Sequence, residues 1–233
     1  MQKSVNFLEL ISGGRIPEVL IGTWIVMGIL LVFGFLARAA LASAADPVIP
    51  DTGISLRSIA EMIVETLDSL VAQVTEMHGS RAMVPFFGSL FMFILFCNFF
   101  GLIPGMEPPT GDSDLTFALG IISFGYFIYK GLVFNGVRYF RSFLGPYLPV
   151  AVLMLPINLA DELFRPFSLG VRLYANMFAD HKVLSIFTGL TYLFVPIAFY
   201  TLGAIVCVIQ ALIFMVLTMS YVRLARGHGE EHH

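Results

Sequence analysis

The chain alternates between long apolar runs and short polar interruptions. None of Asp, Glu, Lys or Arg occurs from position 82 to 106 or from 183 to 222, and each run exceeds the roughly 20 residues that a helix needs to cross a bilayer. Transmembrane helices are predicted over 17–41, 83–104, 115–133, 150–187 and 196–222. Trp24 and Arg38 sit toward opposite ends of the first, as interfacial residues do. Positions 44–52, with Asp46, Pro47, Pro50 and Asp51, break the chain after it.

Between 54 and 77 the pattern changes. Arg57, Glu61, Glu65, Asp68 and Glu76 recur by threes and fours, and Ile59, Met62, Ile63, Leu67, Leu70, Val71 and Val74 fill the spaces between them. The segment is too charged to span, so it is expected to lie along the membrane surface with its apolar face down, or against a neighbouring subunit. The predicted fold is therefore an all-α integral membrane protein with five transmembrane helices and one amphipathic surface helix, forming a single membrane domain over 1–233.

Loop charges orient it. Residues 105–114 contain Glu107, Asp112 and Asp114 but no Lys or Arg and are expected outside. Lys130, Arg138 and Arg141 after the third span, and Arg223 and Arg226 at the end, are expected inside. The C-terminus is then cytoplasmic and the N-terminus periplasmic, against the weak pull of Lys3 and Arg15. The start of the chain does not read as a cleaved signal, because Lys3 is followed by Glu9 and Arg15 before the apolar stretch. The terminal GHGEEHH is short, polar and expected to fray.

Composition agrees with a bilayer as solvent: 58% of residues are hydrophobic, 12% are charged, and the mean hydropathy is +0.86. A net charge of −3 and the absence of any Lys/Arg cluster argue against a nucleic-acid partner. Cys97 and Cys207 each stand alone in apolar runs and read as packing residues, not as a disulfide framework or a metal site. No cofactor is expected. No glycine loop that cradles phosphate is present, so nucleotide chemistry is not expected either.

The fourth span is unlike the others. It is too long for a perpendicular crossing and holds Asp161, Glu162, Arg165, Arg172, Asp180, His181 and Lys182, so this helix and the last are expected to run long and tilted, with Pro166 a plausible bend. At about 100° per residue Asn158, Asp161, Arg165, Ser168, Arg172 and Asn176 fall on one stripe. An arginine at membrane depth costs about 2.5–3.5 kcal/mol on insertion scales, so it faces water or a partner charge. Asp161, Glu162 or Asp180 could pair with Arg172 inside the chain, but the helix that follows offers it no acid. A counter-charge on another subunit is the alternative. His181 lies on the opposite side from Arg172 and is of the type that relays protons near neutrality, although a hydrogen-bonded structural histidine fits equally well. Gln210, the amide of the last apolar run, is expected to bond another helix or Arg172.

At these residues the sequence resembles subunit a of the F-type ATP synthase, of bacterial type. The resemblance is carried by FILFCNFFGLIPG (93–105), RPFSLGVRLYANMFADH (165–181) and VIQALIFMVLTMSY (208–221), in that order. It implies a non-catalytic, proton-translocating stator subunit in the bacterial inner membrane. Its partners would be the ring of c subunits, the subunit b stalk and the other subunits of the complex.

On this resemblance Arg172 is the arginine that faces a lipid-embedded carboxylate on each c subunit. A carboxylate beside a guanidinium gives up its proton, whereas one facing lipid keeps it. Asn176, His181 and Gln210 would line an outer half-channel, with Asn98 a weaker candidate, and Asp161 and Glu162 would suit an inner one. The chain departs from the family pattern in three places. Asn158 stands where many members carry a glutamate, Gly203 where they place His or Glu, and Asp180 where glycine is common. A self-contained ion-coupled transporter with a midplane site at Arg172 and Asp161 is the competing reading. It would bring inverted repeats or paired broken helices, and the sequence shows neither.

Overall fold

A computed structural model describes residues 17–42, 56–76, 80–103, 105–136, 148–190 and 194–227. Lys3 to Arg15, the breaker at 44–52, the basic loop with Arg138 and Arg141, and the terminal residues 228–233 lie outside them. The described residues are helical, with no strand among them. They fall into two compact units, Met1–Pro109 and Thr110–His233.

The first unit holds α1 (Glu18–Ala42), α2 (Leu56–Thr75), a 3-10 turn at Ser80–Met83, and α3 (Val84–Phe100). The three helices pack on one another, and Val26, Leu67, Val71, Phe87, Leu90 and Ile94 are buried where they meet. Small residues let them approach: Leu67 of α2 lies over Gly88 of α3, and Pro109 fills the space beside Gly22 of α1. On α2, Arg57 is buried and donates to Glu61 at 2.7 Å, so one of the charges expected on the polar face is turned inward as a pair. Ile59 and Met62 remain exposed. Glu76, with φ of 50°, ends α2 in the left-handed region.

Helix α3 stops at Phe100, four residues short of the predicted 104. The amides of Gly101, Leu102 and Ile103 reach back three residues, to Asn98, Phe99 and Phe100, at 3.0–3.2 Å, the tight turn typical of helix ends. The Pro108 ring lies so close to Gly101 that an added Cβ would come within 2.4 Å of it.

The second unit is a three-helix assembly of α4 (Ser113–Asn135), α5 (Leu148–Leu190) and α6 (Phe194–Gly227), each packed on the other two. Asp112 caps α4 by accepting from the Asp114 amide at 2.8 Å, and Gly136 closes it at a φ of 56° that favours glycine. Helix α5 continues through Pro156 and Pro166. Its contact with α4 is a backbone approach, Gly120 against the Pro166 carbonyl and Gly170 against Phe117 and the Thr116 carbonyl, as small residues permit between membrane helices. Phe117 stacks on Phe167 beside it, and Phe187 stacks on Phe199 between α5 and α6.

Among the described residues, four helical segments are long and apolar enough to cross a membrane, Glu18–Ala39, Arg81–Phe100, Ser113–Phe134 and Ile197–Ala225. The long α5, expected to be a fifth span, is not among them, because Asp161, Glu162, Arg165, Arg172, Asp180 and Lys182 lower its apolarity. Hydroxyls within the helices are largely satisfied locally. Thr116 and Thr218 donate to carbonyls four residues back, at 3.1 and 2.8 Å, which removes the cost of a bare O–H in an apolar setting.

Candidate functional site

The site is built on α5, and which side of that helix is buried decides its character. Glu162, Leu169, Gly170, Leu173, Met177 and Leu184 face inward. On α6, which packs on both α4 and α5, Gly203, Cys207, Gln210, Ala211, Phe214, Met215, Thr218, Met219 and Val222 are buried. Cys97 in the first unit and Cys207 here are buried free thiols.

The polar stripe predicted on α5 lies beside this buried face and is largely open. Asp161, Ser168, Arg172 and Asn176 are exposed, and so are Phe164, Val171, Ala175, Ala179, Val183 and Ile186 around them. Arg172 thus stands on an apolar, small-residue surface. Four other basic side chains described in this unit have partners. Lys130 lies over Tyr126 and Tyr129, and Lys182 over Phe178. Arg165 pairs with Glu162 at 2.9 Å, and Arg223 is also engaged. Among the described residues, Arg172 has no ion pair, hydrogen bond or aromatic contact. Asp161, Glu162 and Asp180, its possible partners in the sequence, do not pair with it.

Four residues after the arginine, Asn176 Nδ2 donates to Gln210 Oε1 at 2.7 Å. Gln210 is buried, so its amide bonds another helix and not the guanidinium. This joins α5 to α6 one turn from Arg172, on the flank of the open stripe. Asp180 and His181 are half-buried further along α5, about 12–14 Å from Arg172 by helical rise. Asp161 and Glu162 lie about 15–17 Å away in the other direction, Asp161 exposed and Glu162 buried. Asn158, half-buried, lies a turn beyond them. Asn98 belongs to the first unit, where it is buried on α3.

The partnership of Arg165 was not apparent from the sequence. Its guanidinium is 5.9 Å from the ring centre of Phe127 on α4 and 5.5 Å from that of Tyr221 on α6, and it lines a small cleft with Ser123 and Thr218. The i,i+3 spacing from Glu162 was the available signal. Among the described residues no cluster of His, Cys, Asp and Glu is able to hold a metal ion.

Among the described residues, several helices apolar enough to cross a membrane, one of them packed beside a helix that carries an open guanidinium, define a multi-pass helical membrane protein by class. The family model described as ATP synthase A chain matches residues 20–223. ATP synthase subunit a of Bdellovibrio bacteriovorus is 39% identical over 231 residues, covering 97% of this chain and 99% of that protein. That of Solibacter usitatus is 43% identical over 152 residues, 65% of each chain. Subunit a 1 of Pelobacter propionicus is 36% identical over 211 residues, 91% of this chain and 87% of that protein. The chain belongs to the ATP synthase A chain family, subunit a of the F-type ATP synthase.

Proposed function

We propose that this chain is the stationary, proton-conducting subunit of a rotary ATP synthase in a bacterial inner membrane. It catalyses no ATP chemistry itself and works against a ring of c subunits, with a subunit b stalk among its other partners. The observation that carries the reading is Arg172, an exposed guanidinium on an apolar helix face that has no counter-charge among the described residues. A charge so placed is expensive in lipid, and a carboxylate brought to it by a neighbouring subunit relieves the cost.

On this reading α5 is the fifth crossing, long and tilted, and its open stripe faces the ring. The small side chains of Ser168, Ala175 and Ala179 let a partner helix come close, and α2 lies on the membrane surface through Ile59 and Met62. The C-terminus is cytoplasmic and the N-terminus periplasmic. A ring carboxylate travels through lipid protonated, loses its proton beside Arg172, and takes another on leaving.

Asn176, Gln210, Asp180 and His181 border the outer access path. Asp161, exposed on the stripe, serves the inner path near Asn158. Because the two groups lie on opposite sides of Arg172 along the helix, a proton passes between them only by riding the ring. Each charge that crosses yields about 2.3 kcal/mol per 100 mV.

The test is Arg172→Ala in the assembled complex, with ATP-driven proton pumping and passive proton leak measured in inverted membrane vesicles. Pumping is expected to vanish and leak to rise. Normal coupling in this variant removes the reading.

A further inference from the structure

Two arginines share the open stripe of α5, and the structure treats them differently. Arg165 precedes Arg172 by two turns, about 10 Å along the axis and only about 20° around it. A carboxylate moving past this face would meet both. Arg165, however, donates through Nη1 to Glu162 Oε2 at 2.9 Å and lies against the rings of Phe127 and Tyr221, which draw its guanidinium toward α4 and α6. The Glu162 side chain is 10% exposed and that of Arg165 26%, so water screens the pair little and the cancellation of charge is local.

We infer that Glu162, with Phe127 and Tyr221, is a positioning device that cancels the charge of Arg165 and holds it inward, so that a carboxylate on this face finds a single free guanidinium at Arg172. The inference rests on the proposed function. It gives Glu162 a part distinct from carrying protons: its carboxylate is committed to Arg165, and the neighbouring Asp161 is left exposed to exchange. Without Glu162, Arg165 becomes a second attractor two turns from the first. The moving carboxylate is then held at the wrong level and its release is slowed.

The experiment compares Glu162→Gln with the double variant Glu162→Gln/Arg165→Gln in the assembled complex. It measures pumping, passive leak and accumulation of the chain in the membrane. Glu162→Gln is expected to slow ATP-driven pumping about tenfold with the leak unchanged, and removing the stranded cation in the double variant is expected to recover at least about half of the parental rate. A Glu162 that carries protons, or one that only supports packing, predicts a double variant as slow as the single one. That result overturns the inference, as does a Glu162→Gln that pumps normally. If Glu162→Gln does not accumulate, the double variant decides alone: pumping at about half the parental rate or better upholds the inference, and anything slower overturns it. Arg172→Ala run alongside separates the two readings. Normal coupling there removes the stator function itself, whereas lost coupling there without recovery in the double variant removes only the role given to Glu162.

Discussion

Gly120 is where a single methyl group should be felt most. A Cβ built on it would stand 2.7 Å from the Pro166 carbonyl oxygen of α5. The obstacle is backbone, so no rotamer change relieves it, and α4 and α5 must part by about half an ångström or more, an overpacking that typically costs about 1–3 kcal/mol. At Gly170 the corresponding contacts are 3.1 Å to Phe117 and 3.2 Å to the Thr116 carbonyl, and at Gly125 nothing lies within 4 Å. The expected order of damage is therefore Gly120→Ala, then Gly170→Ala, with Gly125→Ala harmless. Because Pro166 lies less than two turns from Arg172, the displacement also shifts the guanidinium.

The assay is thermal destabilisation of the detergent-extracted complex, followed by maleimide labelling of the buried Cys207, together with proton pumping in vesicles. Gly120→Ala is expected to expose Cys207 at a lower temperature and to lower pumping. A Gly120→Ala variant that labels and pumps like the parent, or a Gly125→Ala variant that is the worst of the three, refutes the reasoning.

Two further outcomes test single contacts in the second unit. A double-mutant cycle of Asn176→Ala and Gln210→Ala, read as the labelling midpoint of Cys207, should give a coupling of about 0.6 kcal/mol, the average for hydrogen bonds between membrane helices, and no more than about 1.7 kcal/mol; strict additivity would mean the two amides do not pair. Asp112→Ala removes the carboxylate that caps α4 and is expected to destabilise the unit by about 1 kcal/mol, whereas Asp112→Asn keeps an acceptor and most of the stability. Equal losses from the two Asp112 variants would show that charge, not capping, matters there.

Much of the molecule was legible because the relevant signals are local. An apolar run longer than a bilayer needs a helix to satisfy its backbone, whatever surrounds it. The four helices apolar enough to cross a membrane among the described residues, the charged character of α5 and the stripe through Asp161, Arg172 and Asn176 therefore follow from spacing alone. So does the charge pattern of α2, although the turn of Arg57 inward to Glu61 does not.

Tertiary structure decided what spacing leaves open: which side of α5 is covered. The small residues Gly120 and Gly170 bring α4 against it and α6 packs on it as well, so Glu162 is buried while Asp161, its neighbour in the chain, is exposed. The register of α5 on α6 joins Asn176 to Gln210, which stand far apart in sequence. Three helices meeting at Arg165 gave that arginine partners and left Arg172 with none among the described residues. Periodicity ranks the faces of a helix by polarity, but only the approach of neighbouring helices determines which polar groups satisfy one another and which stay open to a partner.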